Sequence, residues 1–142
     1  MAISKKLREQ VRLKYNNKCA YTGKELQEGW QVDHVKSIHS HSYTVYGSYH
    51  PDKHDIKELL GEVHSINNLV PCLRIVNHYK RSLDLEGFRL RMRDFHKRLS
   101  KLPKNPYAKA SIKRKEYMLS VAYAFDITPD KPFSGVFYFE TL

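Results

Sequence analysis

The chain is expected to fold as an α+β domain, and three observations carry that expectation. Apolar residues recur at helical spacing through Leu85, Phe88, Met92, Phe95, Leu99 and Leu102, in steps of 3, 4, 3, 4 and 3. Two short apolar runs, Trp30 to Val35 and Leu69 to Leu73, have strand length rather than helix length. The 142 residues are 41% hydrophobic, enough to bury one core without cross-links, so a single domain over 1–142 is expected.

Ser4 is placed to cap a helix over Lys5–Tyr15, with Leu7, Val11 and Tyr15 on one face. Asn16-Asn17 ends it, and a tight turn is expected around Gly23. Trp30–Val35 is then a strand that finishes at Asp33-His34. Residues 37–66 are rich in His, Tyr, Ser and Gly, and read as a long loop with a short helix over Asp55–Leu60. Leu69–Leu73 is the second strand. Ile75–Leu83 follows as a helix in which Asn77, Lys80 and Arg81 share one face and Val76, Tyr79 and Leu83 another. The repeat from Leu85 to Leu102 reads as one helix ended by Pro103, and Ala108–Phe125 as a further long helix. Val136–Phe139, apolar and aromatic, reads as a terminal strand.

The net charge is +10 and the isoelectric point about 9.6, which points to an anionic partner. From Arg74 to Lys115 there are 14 Lys/Arg against 3 Asp/Glu, while the remainder holds 11 against 12. One contiguous segment therefore carries the whole excess. Two cysteines, Cys19 and Cys72, make no disulfide framework. Met1–Arg8 has no apolar core of the signal-peptide kind, and no stretch has the length of a membrane span. A soluble protein of a reducing, cytoplasmic compartment, with no membrane partner, is the expectation.

The chemistry concentrates in an ordered set: Asp33-His34, then Asn68, then Asn77 with Lys80. A carboxylate and an amide oxygen are hard donors suited to Mg²⁺ or a similar cation. An imidazole titrating near neutral pH can take a proton from water. Together with a nearby ammonium, these are what a single-metal phosphodiesterase requires. Each has a plainer reading as well: a satisfied strand end, a turn cap, a surface helical residue, a solvated charge.

In order and spacing the set resembles the HNH endonuclease family. The residues that carry the resemblance are Cys19-Ala20-Tyr21-Thr22-Gly23-Lys24, Val32-Asp33-His34-Val35, Asn67-Asn68-Leu69-Val70-Pro71-Cys72 and Val76-Asn77-His78-Tyr79-Lys80. The step from Asn68 to Asn77 is nine residues, similar to that in the nuclease lobe of RNA-guided CRISPR effectors. The resemblance covers about residues 18–89 and implies a ββα-metal core, with a C-terminal helical extension over about 90–142. It implies His34 as general base, and Asp33 and Asn77 as ligands of one divalent cation, Mg²⁺ or Mn²⁺ or another divalent metal. Asn68 would hold the loop and orient the His34 ring through a backbone hydrogen bond, and Lys80 would touch the phosphate. Arg74, Arg81, Arg89 and Arg93 would contact the DNA backbone.

Two departures stand out. Many family members carry a structural zinc on two Cys-x-x-Cys pairs, but Thr22 stands where the second cysteine would be, and Cys72 is one residue out of place. No structural zinc is expected, and Leu26, Trp30, Val76 and Tyr79 are expected to replace it by packing. The step from His34 to Asn68 is 34 residues, longer than the resemblance leads one to expect. The inserted loop holds His39, His41, His50, His54 and His64, read as exposed histidines, with His39 and His41 the two to watch as extra ligands. His78 is left out of the site because it points about 100° away from Asn77 on a helix.

The function implied is hydrolysis of DNA phosphodiester bonds, by an enzyme of phage or mobile-element type that nicks, or cuts both strands as a dimer. A catalytically silent DNA-binding or packaging-associated module on the same scaffold is the alternative. An RNA-binding basic protein would explain the charge but not the ordered site.

Overall fold

A computed structural model describes residues 3–37, 40, 43–44, 47, 61 and 63–142. Helix α1 spans Lys5–Leu13, opened by the Ser4 hydroxyl, which accepts from the Leu7 amide at 3.2 Å. It stops short of Tyr15 because Asn16 and Asn17 adopt φ of 52° and 62°, the left-handed region in which Asn is enriched. The chain then doubles back through a turn whose Gly23 has φ 74°. A Cβ on Gly23 would lie 2.7 Å from the Tyr138 ring, so that position needs glycine on both counts.

Strand β1, Gln31–His34, pairs antiparallel with β2, Leu69–Cys72, in a two-stranded sheet. The register sets Gln31 opposite Cys72, Val32 opposite Pro71, Asp33 opposite Val70 and His34 opposite Leu69. A 3-10 turn over Ile66–Asn68 feeds β2. Helix α2, Arg74–Lys80, follows at once and packs on β1, while α1 packs on β2. It ends at Lys80, three residues short of the expected Leu83, because Arg81 turns to φ 56°. The molecule is thus mixed helix with a small antiparallel sheet.

The helical repeat from Leu85 buries as its spacing predicts: Phe88, Met92 and Phe95 are fully enclosed and Leu99 nearly so. It is not one helix, however. Helix α3, Leu85–Arg93, and α4, Phe95–Ser100, meet at Asp94, whose φ −105° and ψ 14° interrupt the path. The Asp94 side chain makes no capping bond there and lies 3.7 Å from Arg93 and 3.6 Å from Lys97. Asp84 caps α3 by accepting from the Gly87 amide at 2.7 Å. Helix α5, Lys109–Phe125, buries Met118, Val121, Ala122 and Ala124 against α2 and α4, and ends at Asp126 in the left-handed region.

The expected terminal strand over Val136–Phe139 does not form. Phe137 is fully buried, and Tyr138–Thr141 is a 3-10 turn. The amides of Tyr138 and Phe139 bond the carbonyls of Tyr21 and Ala20 at 3.1 and 2.8 Å. The aromatic residues there plug a ring cluster, Phe137 stacking on Phe88 at 5.2 Å and meeting Tyr21 edge-on at 5.2 Å. Within the inserted segment, Ser40, Tyr43, Thr44, Gly61 and Val63 are helical where the sequence reads loop. The helix expected over Asp55–Leu60, and His39, His41, His50 and His54, lie outside the described residues. Among the described residues no helix is long and apolar enough to cross a membrane.

Candidate functional site

Side chains alternate across a strand, so Gln31 and Asp33 share the face of β1 that meets α2, and His34 takes the other. The polar face of α2 supplies the partners. Asn77 donates from its amide nitrogen to Gln31 Oε1 at 2.7 Å. One turn later, Lys80 Nζ lies 3.1 Å from Asp33 Oδ2 and donates to the His34 carbonyl at 3.1 Å. The side chains of Lys80 and Asp33 are 1% and 8% exposed. The Tyr21 hydroxyl donates to the same Asp33 Oδ2 at 2.6 Å. Burial, and then the neighbouring carboxylate, push the Tyr21 phenol well above its ordinary range, so it remains a donor.

These bonds correct one expectation. Lys80 was expected at a phosphate, but its ammonium is enclosed and committed to Asp33 and the strand end. A buried carboxylate needs a cation beside it, and Lys80 is the cation within reach. Both donors take Oδ2, so Asp33 Oδ1 and Asn77 Oδ1 carry no hydrogen bond among the described residues. Asp33 thus lies on the face of β1 that meets α2, and Asn77 on the face of α2 that meets β1. That donor set fits a cation such as Mg²⁺, which takes one or two protein ligands and keeps its waters.

His34 closes β1. Its Nε2 meets Nδ1 of His64 at 3.1 Å, with ring centroids 5.0 Å apart and planes 64° apart. Asn68 organises this end of the sheet. Its Oδ1 accepts from the Lys36 amide at 2.9 Å, and its Nδ2 donates to the carbonyls of Lys36 at 2.9 Å and Val63 at 2.8 Å. Its own carbonyl accepts from the Val35 amide at 3.0 Å. Asn68 thus ties residues 35, 36, 63 and 65 together at this end of the sheet. The ring contact of His34 runs to His64, a residue the sequence assigns to the exposed loop histidines.

Cys19 and Cys72 are fully buried free thiols side by side with Thr22. Burial pushes the Cys19 thiol up. Hydrogen bonds from the Cys72 thiol, from Thr22 and from the Leu73 backbone outweigh it and bring Cys19 down to about 6. Cys72 is driven well above its ordinary value by burial first and Cys19 second. Val76 and Tyr79 are buried beside them in the core, Leu26 packs against it, and Trp30 is half-buried under the Arg8 guanidinium at 3.9 Å. Among the described residues no three His, Cys, Asp or Glu side chains gather as a cage.

The four arginines expected at DNA divide into two kinds. Arg74 and Arg81 are exposed and make no ion pair among the described residues. Arg89 is tied to Glu86 at 3.1 Å, to Glu140 at 2.7 Å and to the Gly135 carbonyl at 2.7 Å. Arg93 is exposed, its guanidinium 3.7 Å from Asp94. Arg89 is thus a structural tie for the C-terminal segment rather than a free phosphate donor. A groove of about 930 Å³ opens elsewhere, lined among others by Trp30, Arg74, His78, Tyr117 and Tyr123, and excludes Asp33 and His34. His78 lines it and lies 2.6 Å from the Tyr117 hydroxyl.

Sequence reading missed Tyr21, Gln31 and His64. Gln31 had a signal, since it lies two residues before Asp33 and shares its face. Tyr21 stood in the resembling stretch and His64 among the loop histidines, but nothing local named their partners, which are set by chain reversal and by the insertion. The chain matches no protein-family model, and comparison with curated proteins and with solved structures gives no significant match.

Proposed function

We propose that this chain is a metal-dependent endonuclease that hydrolyses DNA phosphodiester bonds at a site of the HNH, ββα-metal kind. One observation supports it above the others. Asn77 and Lys80 lie along one face of α2 against Gln31 and Asp33 of β1, with His34 at the strand end. Residues that the sequence spreads over nearly fifty positions come together around one short strand.

Asp33 Oδ1 and Asn77 Oδ1 would hold one divalent cation, Mg²⁺ or Mn²⁺. When bound it supplies positive charge to the phosphate and to the leaving oxygen. His34 takes the proton of the attacking water as general base. The hydroxide electron pair then forms the new bond to phosphorus. The bond to the 3′ oxygen breaks, and that oxygen leaves with its electron pair and is protonated by solvent water. Lys80 and Tyr21 hold Asp33 in place, and Asn68 holds the strand end. Arg74, Arg81 and Arg93 on the basic surface would engage the phosphate backbone, with affinity that falls as salt rises. A cytoplasmic setting in a bacterial host, on a phage or mobile element, goes with this reading.

The second reading, a silent DNA-binding module, has one observation in its favour: Lys80 already neutralises Asp33. Nicking of supercoiled plasmid separates the two. The wild-type chain is expected to nick with Mg²⁺ or Mn²⁺ and to stop with a chelator. His34→Ala is expected to lose cleavage by about 10²- to 10⁴-fold while binding DNA unchanged. Cleavage by His34→Ala at the wild-type rate would sink the assignment of the base, and binding without any cleavage by the wild type would favour the silent module. A matched RNA substrate tests the preference for DNA.

A further inference from the structure

Three guanidiniums gather where α2, α4 and α5 pack together, and no carboxylate answers them. Arg91 donates from Nη1 to the Tyr79 carbonyl at 2.9 Å and lies over the Tyr79 ring, 5.4 Å from its centroid. Arg98 donates from Nη2 to the Arg91 carbonyl and lies 5.7 Å over the ring of Phe95, which meets Tyr79 edge-on at 5.4 Å. Arg114 shares a face of α5 with Tyr117, whose ring is 6.2 Å from that of Tyr79. Burial raises the Tyr79 phenol, and the charges of Arg98, Arg91 and Arg114 pull it back down, so all three bear on one spot. We propose that Arg91, Arg98 and Arg114 form a clamp for a backbone phosphate of DNA, other than the phosphate that is cut. The clamp rests on the nuclease reading for its choice of DNA as the anion.

Part of this arrangement is structural. Tyr79 and Arg91 lie in the last turns of α2 and α3, whose carbonyls lack helical partners and draw cations. One donor of each guanidinium serves that purpose, and each has several more. Arg98 Nε is enclosed with no hydrogen-bond partner among the described residues. A buried donor of that kind costs stability until something accepts from it. None of the three arginines makes an ion pair among the described residues, and the nearby acids are taken: Glu86 and Glu140 by Arg89, Asp94 by Arg93 and Lys97. Like charges gathered without an acid repel. An anion from outside relieves both costs.

A backbone phosphate suits the place. The planar guanidinium fork matches phosphate oxygens two at a time. All three arginines belong to the segment from Arg74 to Lys115 that carries the excess positive charge, so the partner is a polyanion rather than a single small acid. Arg91 and Arg98 are half-buried and Arg114 is exposed, which leaves the clamp open on the side of α5. Tyr79 is next to Lys80 on α2, and successive helical residues point about 100° apart. Lys80 faces Asp33, so the clamp lies around the helix from Asp33. A phosphate held there would fix the register of the duplex on α2 without competing for the cutting site.

The test measures the affinity of the full chain for a short fluorescein-labelled DNA duplex by anisotropy, over a range of salt, with chelator present so that nothing is cut. Arg114→Gln removes a charge from an exposed side chain and leaves both carbonyl contacts in place. It is expected to weaken binding by about 3- to 10-fold and to lower the slope of log affinity against log salt by about one. Arg98→Lys keeps the charge and loses the fork, and should weaken binding by about as much with the slope kept. Lys113→Gln removes the same charge from the neighbouring position, about 100° round α5, and should leave both nearly unchanged. Equal loss in Lys113→Gln and Arg114→Gln would mean diffuse charge and overturn the clamp, as would wild-type affinity in Arg114→Gln. Tighter binding of a matched RNA duplex would overturn DNA as the occupant. A wild type that binds with this arginine dependence yet never nicks plasmid leaves the clamp standing and ends the nuclease reading. A wild type that nicks, with Arg114→Gln binding as it does, ends the clamp alone.

Discussion

The ammonium of Lys80 lies 3.1 Å from the Asp33 carboxylate with almost none of either side chain exposed. A buried charge left without its partner is costly, so Lys80→Met alone is expected to destabilise the fold by about 3–5 kcal/mol. Combining it with Asp33→Leu removes both charges and should recover much of that loss. Urea unfolding of the two single variants and the double variant measures the coupling. A cost below about 1 kcal/mol for Lys80→Met would show that Lys80 does not hold Asp33.

Asn68 uses both amide hydrogens and its oxygen on Lys36 and Val63. Asn68→Ala is expected to cost about 1–3 kcal/mol, since partly buried partners lose their bonds. Hydrogen exchange at the Lys36 amide should quicken more than at amides of α5. A Lys36 amide as protected in Asn68→Ala as in the wild type would mean the clamp is made elsewhere.

Asn77 reaches β1 through Gln31 and keeps its amide oxygen unbonded among the described residues. If that oxygen serves the cation, Asn77→Ala should raise the Mn²⁺ concentration for half-maximal nicking by about 10- to 100-fold. A metal titration with plasmid as substrate reads it. An unchanged half-maximal concentration with only a lower rate would assign Asn77 to alignment of β1 instead.

Hydrogen bonding to Arg89 holds the Glu140 carboxyl below its ordinary value of 4.5. A depressed carboxyl stabilises the fold above that ordinary value and loses the contribution as pH falls through the lower, folded one. Glu140→Gln should therefore destabilise slightly at pH 7, by under about 1 kcal/mol for so accessible a pair, and should flatten the acid limb of the stability curve. Melting temperatures between pH 7 and the acid limb of unfolding test the slope.

Arg81 is exposed and free of ion pairs among the described residues, whereas Arg89 is held by Glu86 and Glu140. Arg81→Ala should reduce the slope of log affinity for DNA against log salt by about one. Arg89→Ala should leave the slope in place and lower the melting temperature. The reverse outcome would exchange their roles.

The elements with strong local signals were legible. Ser4 and Asp84 cap helices through their own side chains, and the apolar repeat from Leu85 to Leu102 names the buried face residue by residue. Strand β1 ends at His34 as expected, because a short apolar-rich run of strand length is a local property. The single long helix failed at Asp94, where the backbone turns to φ −105° and ψ 14°, a break that the unbroken apolar spacing does not carry. The terminal strand failed because Phe137 was drawn into a ring cluster, and an apolar run says that it will be buried but not in what conformation.

The candidate site divides in the same way. Order and spacing named Asp33, His34, Asn68, Asn77 and Lys80, through residue types suited to a cation and a phosphate and through the family resemblance that the set carries. Only the packing of α2 on β1 decided that Lys80 serves Asp33, that Asn77 meets Gln31, and that Arg89 braces the C-terminal segment. Only the return of the insertion decided that His64 meets His34. Such pairings join positions far apart in the chain, and their formation depends on the geometry of the whole fold, which no local pattern of residues contains.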